Sequence, residues 1–172
     1  TSPRASSPAA PAASPADIFT AAAPIGRLTV GSGMGYCMQQ TGEHPFIIRV
    51  DNFTAAHAAV KALHGYETTS DSAGAHFRFV DDDFHERLSL KTILDAWRWS
   101  VTRSPALAGG DIIAIEFEGE KLGDDDLLFE TLAPFVEDGS CIEMEGEDGS
   151  VWRWVFEAQG VRKVFAGFAE RP

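Results

Sequence analysis

The sequence predicts an α+β fold with a single mixed or mostly antiparallel sheet, about three helices and a three-stranded antiparallel meander at the C-terminal end. Two observations indicate this class. Apolar residues recur at helical spacing in three separate stretches, and they alternate strictly with polar residues near the C-terminal end. A length of 172 residues with 44% hydrophobic residues suits one domain with a sizeable core.

The three helical stretches place apolar residues three and four positions apart, which builds one buried stripe on each helix. Asp51 or Asn52 is expected to cap the first helix, and Ser89 the second. The acidic run 124–126 is expected to begin the third helix, where negative charge interacts favourably with the helix dipole. The residues expected to be buried are, helix by helix, Phe53, Ala56, Val60 and Leu63, then Leu90, Ile93, Leu94 and Trp97, then Leu128, Leu132 and Phe135.

Strands are predicted where β-branched and aromatic residues lie between turn residues. The first two flank a glycine-rich turn at 31–35. A phosphate-binding loop is the alternative interpretation of these glycines, but no helical period follows them, which disfavours it. The expected strands are Arg27–Val30, Tyr36–Gln40, Phe46–Val50, His76–Val80, Ile112–Phe117, Cys141–Glu145, Val151–Glu157 and Val161–Phe168.

The loop Gly146–Ser150 predicts the register of a hairpin. The expected pairs are Glu145 with Val151, Glu143 with Arg153 and Cys141 with Val155 on one face, and Met144 with Trp152 and Ile142 with Trp154 on the other. A shift by one residue would expose both tryptophans, so we expect this register to be firm.

The strand Ile112–Phe117 is expected to have one apolar face and one mixed face. The apolar face would carry Ile113, Ile115 and Phe117. The other face would carry Ile112, Ala114, Glu116 and Glu118. If this strand neighbours the hairpin, the solvent side presents one carboxylate patch made of Glu116, Glu118, Glu143 and Glu145.

Residues 1–17 are expected to form a disordered tail or linker ahead of a single domain spanning 18–172, because Ala, Pro and Ser dominate this segment. Cys37 and Cys141 are expected to be free thiols in a reducing, cytoplasmic setting, although a disulfide between them stays open. No stretch of eighteen or more apolar residues occurs, so the sequence predicts no membrane span.

Negative charge is concentrated in an acidic window from Asp111 to Asp148, which holds fourteen acidic residues and one basic residue, Lys121. This window carries −13 and the rest of the chain carries +1, against a net charge of −12. Clustered carboxylates repel each other unless a cationic group relieves them. The pI of about 4.7 argues against direct binding of nucleic acid and favours a basic protein, a cationic ligand or metal ions as the partner.

Other motifs are weaker indications of a site. Residues 81–86 contain enough carboxylate and imidazole groups for a metal, but their spacing matches neither an EF-hand loop nor a zinc motif, and a helix-capping loop is preferred. Trp-Arg-Trp occurs at 97–99, where we expect a helix, and at 152–154, where we expect a strand. Both copies are interpreted as core tryptophans. No Gly-x-Ser-x-Gly nucleophile motif occurs.

The sequence therefore favours an interaction protein over an enzyme, with acidic residues that dock a basic partner as an inhibitor, immunity protein or nucleic-acid mimic does. Two alternatives stay open: a divalent-metal-binding domain or carboxylate-based enzyme, and a structural or accessory module of a larger assembly. No catalytic residue, metal ligand or cofactor is assigned. The predicted partner-binding residues are Glu116, Glu118, Glu120, Glu143, Glu145, Glu147 and Asp148.

Overall fold

A computed structural model describes residues 35–65, 77–105 and 109–166. Within them lie the helices α1 (Phe53–Ala62), α2 (Leu90–Ala96) and α3 (Asp125–Leu132). The strands are β1 (Met38–Thr41), β2 (Trp99–Arg103), β3 (Ile112–Phe117), β4 (Cys141–Gly146), β5 (Val151–Glu157) and β6 (Gly160–Phe165). They form a four-stranded antiparallel sheet, β1-β4-β5-β6, and a two-stranded antiparallel sheet, β2-β3. The predicted α+β class, with three helices and a terminal meander, is confirmed, and its strands are divided between two sheets.

Several predictions concern segments outside the described residues. They are the tail at 1–17, the strand Arg27–Val30 and the glycine-rich turn as far as Met34. The ends of two further predicted strands, at His76 and at residues 167–168, also lie outside them. The boundary between tail and domain therefore stays a prediction.

The helices pack on the faces that their apolar periods predict. Ser89 caps α2 as expected, because its hydroxyl accepts the Thr92 backbone N–H over 3.2 Å. The expected cap of α1 is wrong: a 3₁₀ turn leads into this helix, and the Asn52 side-chain amide donates to the Phe135 carbonyl instead, over 3.3 Å. No helix in the described residues is long and apolar enough to cross a membrane.

Helix α2 ends before the first Trp-Arg-Trp copy, so the helical placement of that copy is wrong. Trp97 closes the helix, Arg98 adopts a left-handed backbone with φ of 68°, and Trp99 begins β2. Glycine is the usual residue in this conformation after a helix. Both tryptophans are 0% exposed, and Trp152 and Trp154 are 3% and 1% exposed, so all four are core residues as predicted.

Two other predicted strands differ in the structure. The described part of His76–Val80 is a turn, in which the Val80 N–H donates to the Phe77 carbonyl over 3.4 Å. Residues 46–50 are not a strand of either sheet; Ile48 forms isolated bridges to Ile112 and Val136. This segment is held between two neighbours without a continuous ladder on either side.

A β-bulge in β3 changes the predicted faces of that strand. In the pairing with β2, Thr102 lies opposite Ala114 and Arg103 lies opposite Ile112, which leaves Ile113 without a partner. One extra residue reverses the alternation of side chains beyond it. Ile112 is therefore 1% exposed and Ile113 is 39% exposed, so the assignment of these two residues to their faces is wrong.

The hairpin register is confirmed at all five predicted pairs between β4 and β5. The inner face of this hairpin carries Ile142, Met144, Trp152 and Trp154, each at most 3% exposed. Beneath it lies α3, whose Phe129 packs against Trp154 with ring centroids 4.8 Å apart. Large aromatic rings therefore fill the space between the sheet and this helix. Because side chains alternate along a strand, the acidic side chains of β4 lie on the opposite, outer face.

Candidate acidic interaction site

The segment that contains β1 joins the two sheets. On one side, β1 pairs with β4. On the other side, the Met38 N–H donates to the Glu120 carbonyl over 2.9 Å, and the Leu122 N–H donates to the Tyr36 carbonyl over 2.8 Å. The chain that follows β3 is therefore held against β1 by backbone hydrogen bonds.

The side chain of Gln40 adds a second link between the sheets. Its amide N–H donates to the Ile115 carbonyl over 3.0 Å, and its amide oxygen accepts the Phe117 N–H over 2.8 Å. One side chain thus satisfies two backbone groups of β3, as a neighbouring strand would. The hypothesis that β3 directly neighbours the hairpin is wrong, because β1 lies between β3 and β4.

The carboxylates of β4 face away from the core and have local partners. Glu143 forms an ion pair with Arg153 at 2.5 Å, as predicted, and accepts the Thr41 hydroxyl over 3.0 Å. The Arg153 guanidinium is the main cause that holds the pKa of Glu143 below its ordinary value. Glu145 accepts the Gln39 side-chain amide over 3.3 Å.

The carboxylates on and after β3 are more open. Glu116 and Glu120 are exposed, and neither forms an ion pair with another described residue. Glu118 accepts the Ser100 hydroxyl over 2.9 Å. Ser100 is also the β2 partner of Glu116, so Glu116 and Glu118 border the same serine on the outer face of the two-stranded sheet.

The loop between β4 and β5 carries the last two predicted site residues. Asp148 accepts hydrogen bonds from the Tyr36 hydroxyl and from the Ser150 backbone N–H, and the first of these chiefly lowers the pKa of Asp148. The Glu147 backbone N–H donates to the Cys37 carbonyl over 3.0 Å. Burial, followed by the nearby Glu147 carboxylate, raises the pKa of the Cys37 thiol, which disfavours a reactive thiolate.

Asp125, at the start of α3, belongs to a buried ion pair that the sequence did not reveal. Its carboxylate is 0% exposed, and each of its two oxygens accepts a 3.2 Å hydrogen bond from the Arg98 guanidinium. The Trp99 indole N–H and the Gly123 backbone N–H also donate to it, each over 3.0 Å. Burial raises the pKa of the Asp125 carboxyl, and the Arg98 charge opposes that effect.

The flanking aspartates also make tertiary contacts. Asp124 accepts the Arg78 backbone N–H over 2.6 Å. Asp126 accepts the Trp154 indole N–H over 2.6 Å and pairs with Lys163 at 3.1 Å. The run at 124–126 therefore ties α3 to three different parts of the fold, in addition to placing negative charge at the start of the helix. Each Trp-Arg-Trp copy donates one indole N–H to this run, from Trp99 to Asp125 and from Trp154 to Asp126. Buried tryptophans need hydrogen-bond acceptors, so the two copies are the sequence signal that could have indicated these contacts.

The metal-binding alternative gains no support from the described side chains. No group of three or more His, Cys, Asp or Glu residues is placed there to hold a metal ion. In the loop that precedes α2, Asp81 and Asp83 instead bind Arg87 at 3.0 and 2.9 Å. The capping-loop interpretation of 81–86 is therefore favoured over a metal loop.

Both cysteines are free thiols. Cys37 lies level with Glu147, whereas Cys141 lies six residues earlier in the chain, at the far end of β4. Six residues of strand span about 20 Å, far beyond the Cα separation that a disulfide allows. The prediction of two unpaired cysteines is confirmed.

Comparison of the chain with models of protein families, with curated proteins and with solved structures finds no match. No relative therefore transfers a function or a site to this chain.

Replacing Glu143 by Gln is expected to remove a pH-dependent contribution to stability. The pKa of Glu143 in the folded protein lies below its ordinary value of 4.5. The ionised Glu143 carboxylate therefore stabilises the fold above pH 4.5, and this stabilisation is lost as the pH falls through the lower pKa of the folded protein. The free energies of unfolding of the wild type and Glu143→Gln should therefore differ at neutral pH and converge in acid, in urea titrations across pH.

Glu116→Gln is the control for that comparison, since Glu116 is exposed and has no ion-pair partner among the described residues. Its difference from the wild type should stay small at every pH. A gap between wild type and Glu143→Gln that is equally large in acid and at neutral pH would show that the ion pair with Arg153 is not its source.

Proposed function

We propose that this domain is an acidic protein-interaction module that binds a basic protein surface, as an inhibitor, an immunity protein or a nucleic-acid mimic does. The proposed contact residues are Glu116, Glu118, Glu120, Glu143, Glu145, Glu147 and Asp148, named here the acidic surface. Complementary charge steers such partners together and fixes their orientation. The partner is a protein, because the phosphates of a nucleic acid would be repelled by these carboxylates.

The observation that carries the proposal is the contrast between the acidic surface and the rest of the acidic window. Four of the seven other carboxylates of the window form ion pairs with described residues, whereas Asp124, Glu130 and Asp138 form none there. The four pairs are Asp111 and Glu137 with Arg49, Asp125 with Arg98, and Asp126 with Lys163. Within the acidic surface, Glu143 alone has an ion-pair partner among the described residues. The other six carboxylates of the acidic surface have no ion-pair partner in the described part of the chain, so a cationic partner could bind them.

The position of β1 also supports the proposal. Backbone bonds hold Glu120 and Glu147 on opposite sides of the segment 37–38, and both carboxylates act on the same Cys37 thiol by raising its pKa. Carboxylates held this close repel each other, so a cationic side chain placed between them would stabilise both. The free Cys37 and Cys141 thiols further favour a reducing, cytoplasmic setting for this interaction.

Charge reversal at three exposed residues tests the proposal. The variant Glu116→Lys, Glu120→Lys, Glu147→Lys should lose the partner that the wild type captures from an extract of its native host at low salt, identified by mass spectrometry. The control variant is Asp51→Lys, Glu86→Lys, Asp138→Lys, whose sites are equally exposed but lie outside the acidic surface.

Both variants change the net charge from −12 to −6, so a difference in partner binding between them cannot arise from net charge. We expect the control variant to retain the partner. Equal retention by both variants, or equal loss from both, would count against the acidic surface as the binding site.

A further inference from the structure

We propose that Tyr36 is a positioning residue of the acidic surface, whose hydroxyl holds the loop between β4 and β5 in the conformation that presents Glu147 to the basic partner. This inference rests on the proposed function and separates residues that contact the partner from residues that act through them. A binding loop that is ordered in advance loses less conformational entropy when the complex forms, which raises the affinity without a new contact.

The Tyr36 hydroxyl occupies the place of a missing side chain at the start of this loop. Gly146 lies opposite Met38 in the pairing of β1 with β4, two residues after Tyr36. A side chain at Gly146 would place its Cβ atom 1.8 Å from the Tyr36 hydroxyl oxygen, far closer than two such atoms can approach. Position 146 therefore has to be glycine for the phenol to reach the loop.

The phenol is held at both of its ends. Its ring packs against Trp152, which is 3% exposed, with the two ring centroids 6.4 Å apart. Its hydroxyl donates to Oδ1 of Asp148, and the same oxygen accepts the Ser150 backbone N–H over 2.9 Å. Asp148 therefore links the loop to the aromatic core through Tyr36.

Glu147 is next to Asp148 in this loop and is held by its own backbone. Its N–H donates to the carbonyl of Cys37, the residue after Tyr36, over 3.0 Å. Its carboxylate is close to both residues: burial is the main cause that raises the pKa of Tyr36 and of Cys37, and the Glu147 charge adds to that effect in each case. The exposed Glu147 side chain therefore depends for its position on the loop that Tyr36 secures.

Asp148 contributes to this arrangement through the hydrogen bonds that it accepts. An asparagine at position 148 can accept the same two hydrogen bonds through its amide oxygen, whereas an alanine can accept neither. If Asp148 acts by holding the loop, these hydrogen bonds matter more for binding than the charge of its carboxylate.

A fluorescein-labelled decalysine peptide provides the probe, with its dissociation constant measured by fluorescence anisotropy at several salt concentrations. Tyr36→Phe should bind the peptide about 3- to 10-fold more weakly than the wild type, because loop side chains must then be ordered on binding. Its salt dependence should equal that of the wild type, since no charge is lost. Glu147→Gln should weaken binding and also make the salt dependence shallower, since it removes a contact charge.

Two substitutions of Asp148 separate its hydrogen bonds from its charge, and they keep the test valid if Tyr36→Phe fails to fold. We expect Asp148→Asn to bind decalysine as well as the control variant Asp138→Asn, which removes an exposed charge outside the acidic surface. Asp148→Ala should bind at least as weakly as Tyr36→Phe.

A purely structural role for Tyr36 would lower the stability of Tyr36→Phe and leave its affinity for decalysine equal to that of the wild type. That result would overturn the positioning role and leave the proposed function standing. Binding by Asp148→Asn that is as weak as binding by Asp148→Ala would also overturn it, because the Asp148 charge would then be a contact. No binding of decalysine by the wild type at low salt would overturn the proposed function, and the role of Tyr36 with it.

Discussion

Replacing Asp125 by Ala is expected to lower the free energy of unfolding by about 3–5 kcal/mol, because it leaves the charge of Arg98 buried without its partner. The Arg98 side chain is 16% exposed and the Asp125 side chain is 0% exposed, so water cannot take the place of the carboxylate. The indole N–H of Trp99 would lose its acceptor in the same step. Urea denaturation of the wild type and the variant measures this difference.

The matched control is Asp124→Ala on the same helix end. Asp124 is exposed and accepts one bond, from the Arg78 backbone, so its loss should cost about 1 kcal/mol. The double variant Arg98→Met, Asp125→Ala should be more stable than Asp125→Ala, because it removes the unpaired charge. An Asp125→Ala variant as stable as Asp124→Ala would contradict the buried ion pair.

Replacing Gln40 by Leu is expected to lower the free energy of unfolding by about 2–4 kcal/mol, because two backbone groups of β3 lose the side-chain partner that they have at the junction of the sheets. Leucine has a similar volume but can neither donate to the Ile115 carbonyl nor accept from the Phe117 N–H. Hydrogen exchange should show faster exchange at the Phe117 amide as well as a lower global stability.

Gln39→Leu is the control for that variant, since it changes the neighbouring residue in the same way. The Gln39 amide is exposed and bonds only to Glu145 among the described side chains, over 3.3 Å. We expect its stability to stay within about 0.5 kcal/mol of the wild type. If both variants were destabilised equally, the loss of stability would come from placing leucine in β1, and the hydrogen bonds of the Gln40 amide to β3 would not be its cause.

Features that depend on local patterns were predictable from the sequence. The register of β4 and β5 follows from the length of the Gly146–Ser150 loop and from the need to bury Trp152 and Trp154. The faces of α1, α2 and α3 follow from their apolar period. The Ser89 cap follows from the preference of serine for the residue before a helix.

Features set by distant contacts were not predictable. Strand β2 was missed because the helical period of α2 runs into Trp97, and the left-handed Arg98 that separates them is stabilised by Asp125, far along the chain. The bulge at Ile113 likewise depends on how β3 pairs with β2, and no local pattern marks it. A glycine at position 98 would have indicated a left-handed residue at the end of α2, whereas an arginine does not.

The candidate site was partly predictable. The sequence located the carboxylates of β4 on the outer face, because they alternate with buried residues. It could not show that β1 lies between β3 and β4, nor that the run at 124–126 is engaged by Arg78, Arg98 and Lys163, since those partners are distant in sequence.

The salt dependence of binding tests the proposed function most directly. The association constant of the partner captured by the wild type should fall steeply between about 50 and 500 mM salt, because the interaction is carried by exposed charges. The slope should be shallower for the variant reversed at Glu116, Glu120 and Glu147, and unchanged for the control variant. An association constant that stays the same across this range would contradict an acidic module that binds by electrostatic complementarity.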